Sequence, residues 1–132
     1  MLAAYDWRIV TSTPAPEDVF LDVAQHPDRT VVTVTGEIDV LTVPGLRHVL
    51  FDPEVVIAPL VVVDLSAVTF MDSVGIGALV AARRWLTGRG TAMVLVCGDN
   101  QPRRVLTMTG LHKVFDIATP GLPVEAGKPE PV

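Results

Sequence analysis

A single cysteine, Cys97, excludes an internal disulfide framework. It sits in the apolar run Met93-Val94-Leu95-Val96-Cys97, where a thiol reads as a buried strand residue. No apolar run approaches the roughly 20 residues that a spanning helix needs. The longest, Val55 to Val63, has nine residues and is interrupted by Pro59. The start, Met1 to Arg8, lacks the basic opening and apolar block of a signal peptide. Basic residues are few: 10 Lys and Arg against 15 Asp and Glu, for a net charge of −5. Arg83-Arg84 and Arg103-Arg104 are short pairs that read as solvated helix faces, which argues against direct nucleic-acid binding. The three histidines, His26, His48 and His112, stand in unrelated segments. There is no His-x-x-x-His, no cysteine pair and no carboxylate cluster with calcium-loop spacing, so no metal or cofactor is expected. These absences together point to a cytoplasmic protein with no membrane span.

What is present is an ample apolar fraction. At 132 residues and 49% hydrophobic content, the chain can bury one real core as a single domain. Residues 1–17, with Pro14 and Pro16, read as a flexible leader. Val19 to Val23 and Thr30 to Thr35 alternate as strands do, and Gly36 is expected to end the second. Leu41 to Phe51 has helical spacing, with Thr42 as a candidate N-cap before Pro44. Leu60 to Leu65 is almost continuously apolar, as in a central strand covered on both faces. A short loop leads to a helix over Ser73 to Leu86, stopped by Gly88 and Gly90. Thr91 to Cys97 reads as a strand, Pro102 to Met108 as a short helix ended by Gly110, and Val114 to Ile117 as a last strand. From Thr119 to Val132 four prolines and two glycines predict a flexible tail. Strands separated by helices argue for an α/β fold with crossover helices. The domain spans 18–118, and no second domain or internal repeat is visible.

The stretch Asp64 to Val80 concentrates the functional signal. Asp72-Ser73 falls where a helix opens, so Ser73 is either its N-cap or the residue after an Asp72 N-cap. Free N–H groups at such a point favour an anion. A phosphate on Ser73 would be tolerated by the fold yet change the surface charge sharply. A nucleophilic role is poorly supported, because Met71-Asp72-Ser73-Val74-Gly75 lacks the first glycine of a nucleophile elbow. Gly75-Ile76-Gly77 is no phosphate loop, since no Gly-Lys-Ser/Thr follows. Inside a helix these glycines suit a close approach by another backbone, from the sheet or from a partner. Asp64 is read as a strand-end cap. At about 100° per residue, Gly75, Leu79, Ala82 and Leu86 form the core face, while Ser73, Ile76, Gly77, Val80 and Arg84 share another. Ile76 and Val80 are then either a partner surface around Ser73 or packing against a neighbouring element.

Three blocks in order resemble the STAS domain family, in its anti-sigma factor antagonist branch. Asp64-Leu65-Ser66-Ala67-Val68-Thr69-Phe70-Met71-Asp72-Ser73-Val74-Gly75-Ile76-Gly77 resembles its signature. Thr35-Gly36-Glu37-Ile38-Asp39, with Thr42 and Leu46, resembles a second segment, and Met108 to Phe115 resembles the closing Gly-Leu segment. The resemblance covers residues 18–118. It implies a mixed, mainly parallel β-sheet with helices packed on one face. It also implies a regulatory binding protein rather than an enzyme. Such a protein binds an anti-sigma factor with GHKL-type serine kinase activity and thereby releases a sigma factor. The kinase would phosphorylate the serine after the signature aspartate, here Ser73, and a serine phosphatase would reverse this. Partner-binding residues implied or read here are Asp39, Asp72, Ile76, Gly77 and Val80, with Asp39 on a loop beside Ser73. Val74 departs from the Ser or Thr that many relatives carry. A STAS regulatory or scaffold protein in another stress-signalling partner-switching assembly is the alternative.

Overall fold

Alternating β-branched residues and helical apolar spacings resolve into five strands and three helices in a computed structural model, which describes residues 20–124. The strands are β1 (Phe20–Gln25), β2 (Thr30–Ile38), β3 (Leu60–Met71), β4 (Ala92–Val96) and β5 (Asp116–Ala118). The helices are α1 (Val43–Leu50), α2 (Ser73–Gly88) and α3 (Gln101–Met108), and a 3-10 turn covers Leu111–Lys113. The sheet order is β1-β2-β3-β4-β5; β1 runs antiparallel to β2, and the other neighbours are parallel. The leader 1–17 and residues 125–132 of the expected tail lie outside the described residues.

Alternation along the strands sorts the core into two faces. Val61, Val63, Leu65, Met93, Leu95 and Cys97 point to the face that buries Leu46 and Leu50 of α1, Leu79, Ala82 and Leu86 of α2, and Leu106 of α3. That face carries every buried apolar side chain of α1, α2 and α3 except Pro102. Leu60, Val62, Val94 and Val96 form a smaller cluster on the opposite face, with Val31, Ala92, Ala118 and Val124 against it. The continuous apolar run of β3 is thus buried on both sides, against helices on one and within a smaller cluster of apolar side chains on the other. Val124 packs on that second face, and its carbonyl accepts a hydrogen bond from Arg29 at 3.3 Å.

Four local expectations are corrected. β2 does not end at Gly36 but runs on to Ile38. Gly36 sits at φ +108, a backbone open to glycine, beside a shift in the β2–β3 register. The segment taken as a loop after Leu65 is strand: β3 continues to Met71. Asp64 therefore does not close a strand; its Oδ1 accepts from the Ser66 N–H at 2.9 Å and from Ser66 Oγ at 2.6 Å. Thr42 holds the N-cap position of α1 but makes no side-chain cap, because its hydroxyl donates to the Glu37 carbonyl at 2.7 Å.

Candidate functional site

The C-terminal ends of β2 and β3 emerge side by side. Ile38 pairs with Met71, and the Asp72 N–H donates to the Ile38 carbonyl at 3.2 Å. Asp39 follows Ile38 and Asp72 follows Met71, so parallel pairing carries both acidic residues out of the sheet at the same end. Asp39 is turned into its own loop: Oδ1 accepts from the N–H groups of Leu41 at 3.0 Å and Thr42 at 3.1 Å. The carboxylate thereby builds the β2–α1 turn as well as lending charge to it.

Asp72, not Ser73, is the N-cap of α2. Its Oδ1 accepts from the Val74 N–H at 3.0 Å and the Gly75 N–H at 3.2 Å. Two of the N–H groups that an anion would seek are already taken by this carboxylate. Ser73 is the first residue of the helix, exposed, and its Oγ makes no hydrogen bond among the described residues. Ser66 is exposed as well, but its hydroxyl is bound to Asp64.

The two helical glycines do different things. A Cβ on Gly75 would meet Ile38 Cγ2 at 2.7 Å and Met71 Cγ at 2.8 Å, so glycine lets the first turn of α2 lie on the strand ends. Gly77 has nothing within 4 Å of such a Cβ and is exposed. Ile76 and Val80 are half-buried and pack against the main core. This is the packing against neighbouring elements that one of the two readings expected.

Side chains that sequence reasoning missed surround this end. Val40 and Leu41 on the β2–α1 turn are 65% and 75% exposed, and Phe70 and Val74 are 41% and 42% exposed. Large apolar side chains gathered at one edge mark an interaction surface more than scattered ones do. No periodicity pointed to them, because Val40 and Leu41 fall in a turn, Phe70 lies beside a strand irregularity and Val74 sits in the first turn of α2, off its core face. Among the described residues no group of three or more His, Cys, Asp or Glu is placed to hold a metal ion. No helix of the described residues is long and apolar enough to cross a membrane.

The STAS domain family matches residues 20–121. The chain is similar to the anti-sigma-F factor antagonist RsfB of Mycobacterium tuberculosis, at 32% identity over 101 residues, covering 76% of this chain and 82% of that protein. It is also similar to the anti-sigma-B factor antagonist of Bacillus subtilis, at 31% identity over 101 residues, covering 76% of this chain and 92% of that one. A crystal structure of an anti-sigma factor antagonist from Mycobacterium paratuberculosis superposes with a TM-score of 0.71 at 38% identity, covering 82% of this chain and 91% of that one. With its five-stranded mixed sheet and its helices on one face, the chain belongs to the STAS domain family.

Proposed function

We propose that this protein is an anti-sigma factor antagonist: it binds an anti-sigma factor that is also a GHKL-type serine kinase, frees the sigma factor, and is switched off by phosphorylation of Ser73. The observation that carries the reading is the placement of Ser73. Its hydroxyl is exposed, lacks a hydrogen bond among the described residues and stands on the first turn of a helix anchored to the sheet ends. The names of the relatives support the antagonist role. The protein works as a cytoplasmic binding partner without catalysis, and a serine phosphatase resets it.

The switch acts through charge at the surface. A phosphate adds about −1.5 to −2 charge. It gains from the helix N-terminus by roughly 0.3–1 kcal/mol. It also meets the Asp72 carboxylate already seated there, with Asp39 at the same end of the sheet. Favourable and unfavourable terms nearly cancel within the domain, so the fold persists. A partner seated on Val40, Leu41, Phe70 and Val74 would instead have to desolvate a dianion beside the Asp72 carboxylate, which weakens binding by several kcal/mol. Asp72, Asp39, Ile76, Gly77 and Val80 are the polar and apolar members of that docking surface.

The test is co-purification from the native cell followed by labelling with the captured kinase and ATP. The expected result is one phosphate, on Ser73, absent from Ser73→Ala and retained in Ser66→Ala. Labelling that persists on Ser73→Ala rejects the reading.

A further inference from the structure

Beyond Asp64, strand β3 loses β4, whose pairing ends at Asp64 and Val96. Its backbone groups on that side need other partners, because half-buried N–H and C=O groups left unpaired are costly. Two side-chain amides at the start of α3 supply them. Asn100 Nδ2 donates to the carbonyls of Leu65 at 3.0 Å and Val68 at 3.3 Å. Gln101 pairs with Met71 in both directions: the Met71 N–H donates to Gln101 Oε1 at 2.8 Å, and Gln101 Nε2 donates to the Met71 carbonyl at 3.1 Å. A carboxamide that both accepts from and donates to one residue reproduces what a neighbouring strand would offer. On its other side Met71 pairs with Ile38 of β2. The backbone is gripped from both sides two residues before Ser73.

The grip is tied to the core. Asn100 Oδ1 also accepts from the Arg103 N–H at 3.2 Å and so caps α3. Pro102 and Leu106 of that helix are buried. The β4–α3 junction thus fixes the far end of β3 to the body of the domain on the side that β4 no longer reaches.

We infer that Gln101, supported by Asn100, is a positioning residue for phosphoryl transfer to Ser73. The inference rests on the reading of Ser73 as the phosphoacceptor. In that step Ser73 Oγ forms a bond to the γ-phosphorus of ATP, the bridging P–O bond breaks, ADP leaves with the electron pair, and the hydroxyl proton passes to a base on the kinase. In-line attack needs Oγ held within a narrow range, and misplacement by about 1 Å can cost up to about 10²-fold in rate. Releasing Met71 spreads Oγ over several positions, while Val40 and Leu41 on the β2–α1 turn and Ile76 and Val80, packed on the core, stay in place to dock the partner. The cost therefore falls on kcat rather than on KM.

Gln101→Met keeps the unbranched stem and loses both hydrogen bonds. Asn100→Asp keeps the cap acceptor and loses both donations. In the full chain, Gln101→Met is expected to speed hydrogen exchange at the Met71 amide about tenfold. It should also lower kcat for Ser73 labelling by the captured kinase about tenfold, with KM within about twofold. Asn100→Asp should show a smaller loss of the same kind. Should Gln101→Met fail to fold, Gln101→Glu, which keeps the acceptor and loses the donor, takes its place. Wild-type kcat with labelling confined to Ser73, or a loss that falls wholly in KM, overturns the positioning role alone. Labelling that survives in Ser73→Ala removes the reading beneath it, and the positioning role falls with that reading.

Discussion

From Leu60 to Asp64, strand β3 is flanked by β2 and β4 and its side chains fill both faces of the sheet. From Leu65 to Met71 it keeps β2, loses β4, and exposes Ser66, Ala67, Thr69 and Phe70. The first half is held by burial and strand pairing. The second is held by hydrogen bonds from Asn100 and Gln101 and by the close seat of Gly75 on Ile38 and Met71. One continuous strand thus passes from a region that stabilises the domain to one that presents a surface. A strand that overruns its neighbour carries a rigid backbone to the surface while committing only every third side chain, Leu65, Val68 and Met71, to the core.

The sharpest way to break this comparison is to place the same charge in each half. Val63→Asp buries an unpaired carboxylate at a fully buried site and is expected to cost about 4–5 kcal/mol or more, leaving the domain largely unfolded. Phe70→Asp, at a site 41% exposed, should cost about 1 kcal/mol while abolishing capture of the partner. Chemical denaturation of both variants checks this; equal losses would erase the distinction between the halves.

The paired glycines sharpen it next. Gly75→Ala forces a methyl to within 2.7 Å of Ile38 Cγ2 and should destabilise by about 1–3 kcal/mol. Gly77→Ala meets nothing within 4 Å and should stabilise the isolated domain by about 0.5–1 kcal/mol through helix propensity. The opposite signs are the result to look for in thermal melts. A smaller effect is expected at the cap: Asp72→Ala loses the hydrogen bonds to Val74 and Gly75 and should cost about 1 kcal/mol.

The same division explains what could be read in the sequence. Leu60 to Leu65 was legible because a doubly covered strand is apolar at nearly every position, here all but Asp64. The continuation to Met71 was not, because the β2–β3 register shifts break strict alternation and leave exposed residues in adjacent pairs, Ser66 with Ala67 and Thr69 with Phe70. A period near three, with buried Leu65, Val68 and Met71, does not look like a strand. The core face of α2 was legible from its 3.6 period, and Gly75, Leu79, Ala82 and Leu86 are all buried. Asp72 and Ser73 could be placed at the helix start from capping chemistry, though which of them caps could not. The Gln101 contact with Met71 joins residues thirty apart in sequence and leaves no local signature.

The end of β3 and the start of α2 are proposed to form the docking surface, with the charge on Ser73 switching partner binding off without unfolding the domain. Isothermal titration of the captured anti-sigma factor with unmodified chain and with chain phosphorylated on Ser73 tests this most directly, with thermal melts of both forms recorded alongside. At least about a hundredfold loss of affinity is expected, equivalent to about 2.7 kcal/mol, with melting temperatures within about 2 °C of each other. Equal affinity for the two forms, or a loss matched by a large drop in melting temperature, would contradict it.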